Sequence, residues 1–245
     1  MKAIILSAGQ GKRLLPMTAH QPKCLLQVQG KSILEWQIDT LLACGISDIT
    51  VVVGYQASQV EAVLYSKYHE AGIHTLFNAE YASTDNLVSC YLARAEMQED
   101  FILLNGDTLF EPAILQQVLK EAATPVTVTV NQKNAYDADD MKVSLADERL
   151  VRIGKDIPAP DTHGESIGLL LFRGAGPKLF TDGLERALAD TRLVWRWFLS
   201  VVDAIAQKEE VGVCLVNGKA WCEIDYPADL ECAERIVADA RRAGR

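Results

Sequence analysis

The stretch that decides the fold lies at the N-terminus, where residues 2–18 read KAIILSAGQGKRLLPMT. Its opening run, Lys2 to Leu6, is short and apolar and predicts a buried β-strand. The run leads directly into a glycine-rich turn, and Lys12 and Arg13 follow the second glycine. Backbone N–H groups of such a turn approach phosphate oxygens, and neighbouring cations neutralise their charge. The segment therefore predicts a strand and turn that bind a polyphosphate.

This opening segment contains no acidic residue, although acids dominate the chain as a whole. The first 34 residues include five Lys or Arg and no Asp or Glu, whereas the 245-residue chain has 33 acidic and 24 basic residues and a net charge of −9. General nucleic-acid binding needs a broad basic face, so we expect no nucleic-acid partner. The local excess of cations instead favours a small anionic ligand.

The remaining composition indicates one cytoplasmic domain spanning residues 1–245. A hydrophobic content of 49% is enough for a sizeable core. The six cysteines are scattered without a C-x-x-C pair, which is typical of reduced thiols rather than of disulfides or a zinc site. No apolar stretch approaches the ~20 residues that span a bilayer, so we expect no membrane insertion.

Short apolar runs alternate with helical patterns along the chain. Strands are predicted at 2–6, 49–53, 74–77, 101–104, 125–130, 142–145, 150–153, 167–172 and 211–216, and helices at 33–44, 87–97, 176–189, 195–207 and 227–241, with further helices starting near 58 and 111. Capping boxes at Ser32–Glu35 and Ser58–Glu61 mark two of the helix starts. Repeated β-α-β units predict a Rossmann-like α/β fold with a mixed, mostly parallel sheet flanked by helices and a smaller extension in the second half.

The glycine turn is compatible with more than one motif. Gly9 and Gly11 fit the start of a dinucleotide-binding turn, but Leu14 stands at the third glycine position and no acid follows ~20 residues later. A Walker loop would need G-K-[ST], and an ordinary strand-to-helix turn would not need clustered cations. Ligands of such sheets bind at the carboxyl ends of strands, so the turn and Asn105-Gly106-Asp107 are expected at the same edge.

Residues 6–23 resemble the L-x-A-G-x-G-x-R-L-x-P-x-T-x3-P-K signature of the nucleotidyltransferases that join a nucleoside triphosphate to a phosphorylated sugar or alcohol. The resemblance implies a GT-A-type fold with a nucleotide-binding half (1–130) and an acceptor-binding half (131–245). It further implies that Lys12 and Arg13 hold the β- and γ-phosphates and that Lys23 lies by the α-phosphate or the acceptor phosphate. The implied nucleotide-binding residues are Leu6, Ala8, Gly9, Gln10, Gly11, Thr84, Asn86, Ser89 and Gly106.

Residues 78–89, NAEYASTDNLVS, look like a segment of the branch containing bacterial choline-phosphate, inositol-1-phosphate and aminoethylphosphonate cytidylyltransferases. The segments 141–143, 153–155, 164–168 and 221–225 extend the similarity. Asp85 departs from the branch, which usually has Asn there. Thr84, Asn86 and Ser89 are expected at the pyrimidine and ribose, although Thr84 or Asp85 is also suited to capping the following helix.

The same resemblance implies Mg²⁺ as a cofactor, with Asp107 and Asp225 as its ligands. Mg²⁺ prefers carboxylate and phosphate oxygens and keeps several waters, so two carboxylates and a triphosphate suit it. The alternative for Asp107 is an aspartate that only shapes a turn. The alternative for Asp225 is a helix cap before Pro227.

The acceptor site is expected in the second half of the chain. The residues predicted to form it are Lys142, Lys155, Glu165, Trp195 and Glu223, with Trp197, Trp221, Tyr136 and Tyr226 as further aromatic candidates and Asp139 or Asp140 as further counter-charges. A cation such as choline binds aromatic faces, although tryptophans are also common in cores and lysines on surfaces. The expected partners are CTP and phosphocholine, then aminoethylphosphonate, then inositol-1-phosphate or another sugar phosphate. The alternative from another class is a regulatory nucleotide-binding module.

Overall fold

The computed structural model describes residues 1–189 and 196–243. Its strands are β1 (Lys2–Ser7), β2 (Gln27–Val28), β3 (Lys31–Ser32), β4 (Asp48–Val53), β5 (Ile73–Phe77), β6 (Phe101–Asn105), β7 (Thr108–Phe110), β8 (Val126–Asn131), β9 (Lys142–Ala146), β10 (Arg149–Gly154), β11 (Gly164–Phe172), β12 (Val211–Leu215) and β13 (Trp221–Glu223). Its helices are α1 (Ile33–Ala43), α2 (Ala57–Tyr68), α3 (Asn86–Leu92), α4 (Pro112–Glu121), α5 (Gly176–Leu188), α6 (Leu199–Ala206) and α7 (Pro227–Ala243).

Nine of the described strands form one mixed sheet in the order β5-β4-β1-β6-β11-β8-β12-β10-β9. Strands β5, β4, β1 and β6 pair in parallel, as repeated β-α-β units require. Strand β11 then runs antiparallel to both β6 and β8, and most of the later pairings are antiparallel. The predicted α/β class with a mixed sheet is confirmed. The sheet is mostly parallel only in the first half, because the later pairings, apart from β8 with β12, are antiparallel.

Strand β1 lies at the centre of the first half because it is apolar on both faces. Ile4 packs into one hydrophobic cluster, while Ala3 and Ile5 pack into another on the opposite face. Successive side chains of a strand point to opposite faces, so a strand covered by helices on both sides needs such an unbroken apolar run. The carboxyl end of β1 is thereby held at the edge where the glycine turn begins.

Helix starts follow the sequence prediction at one position and depart from it at another. Ser32 and Glu35 form the predicted capping box of α1, with the Glu35 carboxylate accepting from the Ser32 N–H at 2.9 Å. The second predicted capping box is wrong: α2 begins at Ala57, after Gln56 in a left-handed conformation with φ 51° and no side-chain cap. Helix α6 begins only at Leu199, and part of the predicted 195–207 helix lies outside the described residues.

A small antiparallel pair, β7 and β13, joins the two halves of the chain beside the sheet. Glu223 pairs with Thr108, and the Ile224 N–H donates to the carbonyl oxygen of Asp107 at 3.1 Å. This pair of short strands was not predicted from the sequence, because the two strands are separated by more than a hundred residues of chain. It places Asp107 and Asp225 next to each other. None of the helices in the described ranges is both long enough and apolar enough to cross a membrane.

Candidate active site

A cleft of about 280 Å³ opens at the carboxyl ends of β1 and β6. Most of the predicted site residues line it: Leu6, Ala8, Gly9, Arg13, Thr84, Asn86, Ser89, Gly106, Asp107, Lys155, Glu223 and Asp225. The lining also includes Asn78, Tyr81, Asp85, Asn105, Asp139, Met141, Ser166, Gly168, Trp197 and Leu199. Both halves of the chain therefore contribute to one cleft. Asn105 and Ser166 lie in segments recognised from the sequence, but their residue types alone gave no signal for ligand binding.

The glycine turn places Arg13 at this cleft through buried anchors on either side. Gly11 has φ 75°, a backbone conformation that glycine adopts without strain. Leu14 is fully buried, and the Thr18 hydroxyl donates to the Gly11 carbonyl at 2.9 Å. Because the burial of Leu14 and the hydrogen bond from Thr18 fix the backbone on both sides of Arg13, the Arg13 side chain points to the cleft. Lys12 is exposed and does not line the cleft, and Gln10 donates to the carbonyl of Thr18.

Four charged side chains converge at the centre of the site. The Lys23 Nζ lies 2.8 Å from Asp107 Oδ2 and 2.7 Å from Asp225 Oδ1. The Arg13 Nη2 lies 3.0 Å from Asp225 Oδ2, and Arg13 also contacts the Tyr226 hydroxyl at 3.2 Å. Burial would lower the pKa of the Lys23 ammonium, but the two carboxylates outweigh it and raise the pKa. Lys23 is therefore a buried, charged group rather than an exposed one.

The two carboxylates suit a divalent cation. Asp107 Oδ1 is buried and has no hydrogen-bond partner in the described structure. A buried polar atom normally has a partner, so this oxygen is suited to bind a cation in the cleft. In the described ranges no group of three His, Cys, Asp or Glu side chains is arranged to hold a metal. Mg²⁺ commonly binds through one or two carboxylates together with substrate phosphates and water, so a pair of aspartates fits it.

The wall of the cleft that α3 forms contains two side-chain amides, those of Asn78 and Asn86. Asn78 is buried, donates to the Ser89 hydroxyl at 3.0 Å and accepts from the Glu80 N–H at 2.9 Å. Asn86 accepts from the Phe198 N–H at 2.9 Å and so ties α3 to the segment before α6. Ser89 and Asn86 thus line the cleft while holding its wall together.

The sequence left open whether Thr84 or Asp85 caps α3, and the structure shows that the cap is Asp85. The Asp85 carboxylate accepts from the Asn86 N–H at 2.7 Å and is the cap of α3. The Thr84 hydroxyl donates to the Glu80 carbonyl at 2.9 Å. Both residues also line the cleft, so capping does not remove them from the ligand's surroundings.

The second half of the chain supplies charged groups and one aromatic face. The Lys155 ammonium lies 4.5 Å from the centre of the Trp197 ring and 3.5 Å from Asp139 Oδ1. Burial and the nearby Asp107 and Asp225 carboxylates raise the pKa of Glu223 to about 8. This part of the cleft therefore combines a cation, a partly exposed indole and carboxyl groups within one wall.

Three of the predicted acceptor residues do not lie in the described cleft wall. Lys142 is buried, and its ammonium donates to the backbone carbonyl of Lys155 at 2.8 Å, so it supports the wall instead of facing the cleft. Glu165 is buried beside Lys133 at 2.7 Å and lines a neighbouring cavity of about 650 Å³. Trp195 lies outside the described residues. Sequence spacing did not separate Lys142, which begins β9, from Lys155, which follows β10, because both lie at an end of a short strand.

Comparison with known proteins gives one family match and named relatives that agree with it. Residues 3–200 match the MobA-like NTP transferase domain. The chain is 42% identical over 240 residues to a choline-phosphate cytidylyltransferase of Streptococcus pneumoniae, with 97% of this chain and 98% of the relative covered. It is 25% identical to a 2-aminoethylphosphonate cytidylyltransferase of Lancefieldella rimae, covering 93% of this chain and 89% of the relative.

Solved structures show the same likeness at the level of the fold. The structure of a CTP:phosphocholine cytidylyltransferase from Streptococcus pneumoniae superimposes with a TM-score of 0.82 at 26% identity, covering 96% of this chain and 98% of that one. An inositol-1-phosphate CTP transferase from T. maritima superimposes with a TM-score of 0.79 at 23% identity, covering 96% of this chain and 95% of that one. The second of these, at its lower identity, bears on the fold alone.

The family match and the named relatives make this protein a nucleotidyltransferase, and its mixed sheet agrees with the fold of that class. Because the family match covers most of the chain, the protein belongs to the MobA-like NTP transferase family.

Proposed function

We propose that this protein transfers CMP from CTP to a small phosphorylated amino alcohol, with phosphocholine as the first candidate, and releases pyrophosphate. The observation that carries the proposal is that Arg13, Asp107 and Asp225 line one cleft and that the buried Lys23 ammonium contacts both aspartates. The 42% identity to a choline-phosphate cytidylyltransferase supports both CTP and this acceptor.

The reaction needs positioning and charge stabilisation rather than a covalent intermediate. An acceptor phosphate oxygen attacks the α-phosphorus of CTP, a new P–O bond forms, and the bond to the β-phosphate oxygen breaks. Arg13, and Lys12 from the exposed side of the turn, stabilise the leaving pyrophosphate. Lys23 brings two anions together that would otherwise repel. Asp107 and Asp225 would hold Mg²⁺, which supplies electrostatic polarisation of the α-phosphate when bound.

The charge of the cleft favours a cationic acceptor. Its lining carries five acidic side chains, Asp85, Asp107, Asp139, Glu223 and Asp225, against two basic ones, Arg13 and Lys155. When Asp107 and Asp225 hold the metal, Asp85 and Asp139 remain as carboxylates in the cleft wall, whereas Glu223, with a pKa raised to about 8, is largely protonated near neutral pH. A choline or aminoethyl head group complements the two remaining carboxylates through charge and, for choline, through the indole face. A neutral inositol head group offers neither complement.

Pyrophosphate release tests the proposal directly. Each of four nucleoside triphosphates is combined with phosphocholine, aminoethylphosphonate, inositol-1-phosphate and glucose-1-phosphate in Mg²⁺. Release with CTP and phosphocholine is expected. Release with CTP and aminoethylphosphonate would change the acceptor and keep the mechanism. Aminoethylphosphonate is the second candidate because a relative named for that activity matches 93% of this chain. No release while CTP still binds would contradict all four acceptors and would favour either an acceptor outside this set or a regulatory nucleotide-binding module.

Lys23→Ala provides the matching prediction for the site. Because Lys23 acts on charge that develops at the phosphates, turnover is expected to fall by about 100-fold or more, with a smaller loss of CTP affinity. The control is Lys178→Ala, since Lys178 is an exposed lysine that pairs with Asp182 on α5. Equal turnover of Lys23→Ala and Lys178→Ala would rule out the catalytic role of Lys23.

A further inference from the structure

Lys23 lies in the position between the two aspartates where a divalent cation would bind. Its Nζ is within 2.8 Å of one oxygen from each carboxylate, and the residue is only 9% exposed. Its side chain passes against Gly11, where an added Cβ would lie 2.9 Å from Lys23 Cβ and 3.0 Å from its Cδ. The missing side chain at Gly11 therefore leaves the space through which Lys23 reaches the aspartates.

Three of the four carboxylate oxygens in this pair are already engaged. Lys23 contacts Asp107 Oδ2 and Asp225 Oδ1, and Arg13 contacts Asp225 Oδ2. Among the described residues only Asp107 Oδ1 of this pair is buried and without a partner. Two cations balance two anions, so a divalent ion arriving alone would have to displace Lys23 and leave its buried ammonium without a counter-ion, which is strongly unfavourable.

We propose that Lys23 is an exchangeable counter-ion, which occupies the metal position in the ligand-free protein and moves to phosphate oxygens when metal and nucleotide bind together. This inference rests on the proposed metal role of Asp107 and Asp225. A triphosphate gives both Lys23 and Arg13 new anionic partners at the moment when the metal takes their old ones. Metal and nucleotide therefore bind cooperatively, and the metal alone binds weakly. Lys23 acts here as a positioning residue for the metal site, in addition to its role toward the phosphates.

The test is Mn²⁺ affinity without nucleotide, measured from the EPR signal of the free ion. The proteins compared are the wild type, Lys23→Gln, Lys23→Arg and the control Lys178→Gln. We expect Lys23→Gln to bind Mn²⁺ at least about ten-fold more tightly than the wild type, since both carboxylates lose their counter-ion. Lys23→Arg and Lys178→Gln should keep the weak wild-type affinity. Adding Asp107→Asn to Lys23→Gln should remove the gain and so locate it.

Thermal unfolding gives a second readout that does not depend on activity. Without metal, Lys23→Gln should unfold at a lower temperature than the wild type, and Mn²⁺ should restore its stability while barely changing that of the wild type. If Lys23→Gln is unfolded without metal, recovery of its circular dichroism signal in Mn²⁺ supports the exchange, and no recovery contradicts it.

The other outcomes separate this inference from the proposed function. Equal Mn²⁺ affinities of wild type and Lys23→Gln, with a wild type that releases pyrophosphate from CTP, would overturn the exchange alone. A gain in Lys23→Gln that survives Asp107→Asn would also overturn it, because the ion would then bind elsewhere. An active wild type that needs no divalent cation would overturn both the metal role and the exchange.

Discussion

At the scale of single residues, the site depends on glycines whose lack of a side chain lets neighbouring segments come close together. An added Cβ at Gly106 would lie 2.4 Å from Ser7 Oγ, and one at Gly168 would lie 2.6 Å from Asn105 Nδ2. Gly11 combines both constraints of a glycine, because its φ is 75° and its open side is filled by Lys23. These glycines let β1, β6, β11 and the Lys23 segment approach one another at the cleft.

Gly11→Ala is expected to reduce both stability and activity. The positive φ costs roughly 1 kcal/mol for a residue with a Cβ, and the new methyl group would displace the Lys23 stem. The control is Gly30→Ala, since Gly30 has φ 84° but nothing within 4 Å of the added atom. Urea unfolding should show a loss for both variants, larger for Gly11→Ala because only its methyl group meets Lys23, whereas pyrophosphate release should fall only for Gly11→Ala. Equal activities would show that the packing of Lys23 against Gly11 is unimportant.

Asn78 makes a second prediction at this scale. It is 1% exposed and connects Ser89 to the Glu80 backbone. Asn78→Ala leaves buried polar partners unsatisfied, which costs roughly 1–3 kcal/mol. We expect a lower urea midpoint together with a higher KM for CTP, because Ser89 lines the cleft. The control is Asn217→Ala, which removes an exposed amide that pairs with Gln132. An unchanged KM in a destabilised Asn78→Ala would limit Asn78 to a structural role.

At the scale of elements, the start of α1 joins three parts of the first half of the chain. The Glu35 carboxylate accepts from both the N–H and the hydroxyl of Ser32 and pairs with Lys67 of α2. The side chain of Gln37, on the same helix, donates to the carbonyl oxygens of Asn105 and Thr108 at 2.8 and 2.7 Å. Helix α1 therefore supports the backbone on both sides of Asp107.

Glu35→Gln tests this junction through pH. Burial would raise the pKa of Glu35, but the hydrogen bonds from Lys67 and Ser32 outweigh it and hold the pKa below its ordinary value of 4.5. The folded protein thus binds this proton less readily than the unfolded chain. The stabilisation is complete above the ordinary pKa and is lost as the pH falls through the lowered one.

The variant should therefore be less stable than the wild type by about 1 kcal/mol near neutral pH, as for loss of a cap. The difference should shrink as the pH falls below about 4. Urea unfolding at several pH values measures it, with Glu231→Gln on the exposed face of α7 as the control. A difference that stays constant with pH would show that the charge of Glu35 is not responsible.

At the scale of the whole molecule, a row of phenylalanines connects the sheet to the cleft wall at Leu199. Phe101 of β6 and Phe172 of β11 stack at 4.4 Å, and Phe180 of α5 lies 4.6 Å from Phe172. Phe198 meets Phe180 edge-on at 6.3 Å and directly precedes Leu199, which lines the cleft. The central strands and the cleft wall thus share one packed core.

Phe180→Ala should strongly destabilise the folded protein. Phe180 is fully buried, and truncation of a core phenylalanine costs roughly 3–5 kcal/mol. Phe77→Ala is the control, because Phe77 is 56% exposed at the end of β5. The free energy of unfolding in urea should fall sharply for the first variant and little for the second. Similar small losses for both would mean that the aromatic row does not carry the core.

Prediction from sequence succeeded where the deciding contacts are local. Ser32 and Glu35 cap α1 because their contacts are made three residues apart, and residues 2–6 form a strand because they are apolar throughout. Ser58 failed as a cap because the cap position lies two residues earlier, at Gln56, whose left-handed backbone leads into α2 at Ala57. Lys142 does not line the cleft, because its ammonium donates to a backbone carbonyl inside the fold. Neither conflict leaves a trace in residue type or spacing.

The sequence by itself determined the α/β class, the cationic turn and the family, because these depend on apolar periodicity and on a motif within 18 consecutive residues, from Leu6 to Lys23. Only the tertiary structure decided how the charges pair. Lys23 meets Asp107 across 84 residues of chain and Asp225 across 202. Such contacts exist only after β7 has paired with β13 and Gly11 has left room for the lysine. A buried ammonium between two carboxylates is thus a property of the folded chain, since burial and distance set its energy and neither is written in local sequence.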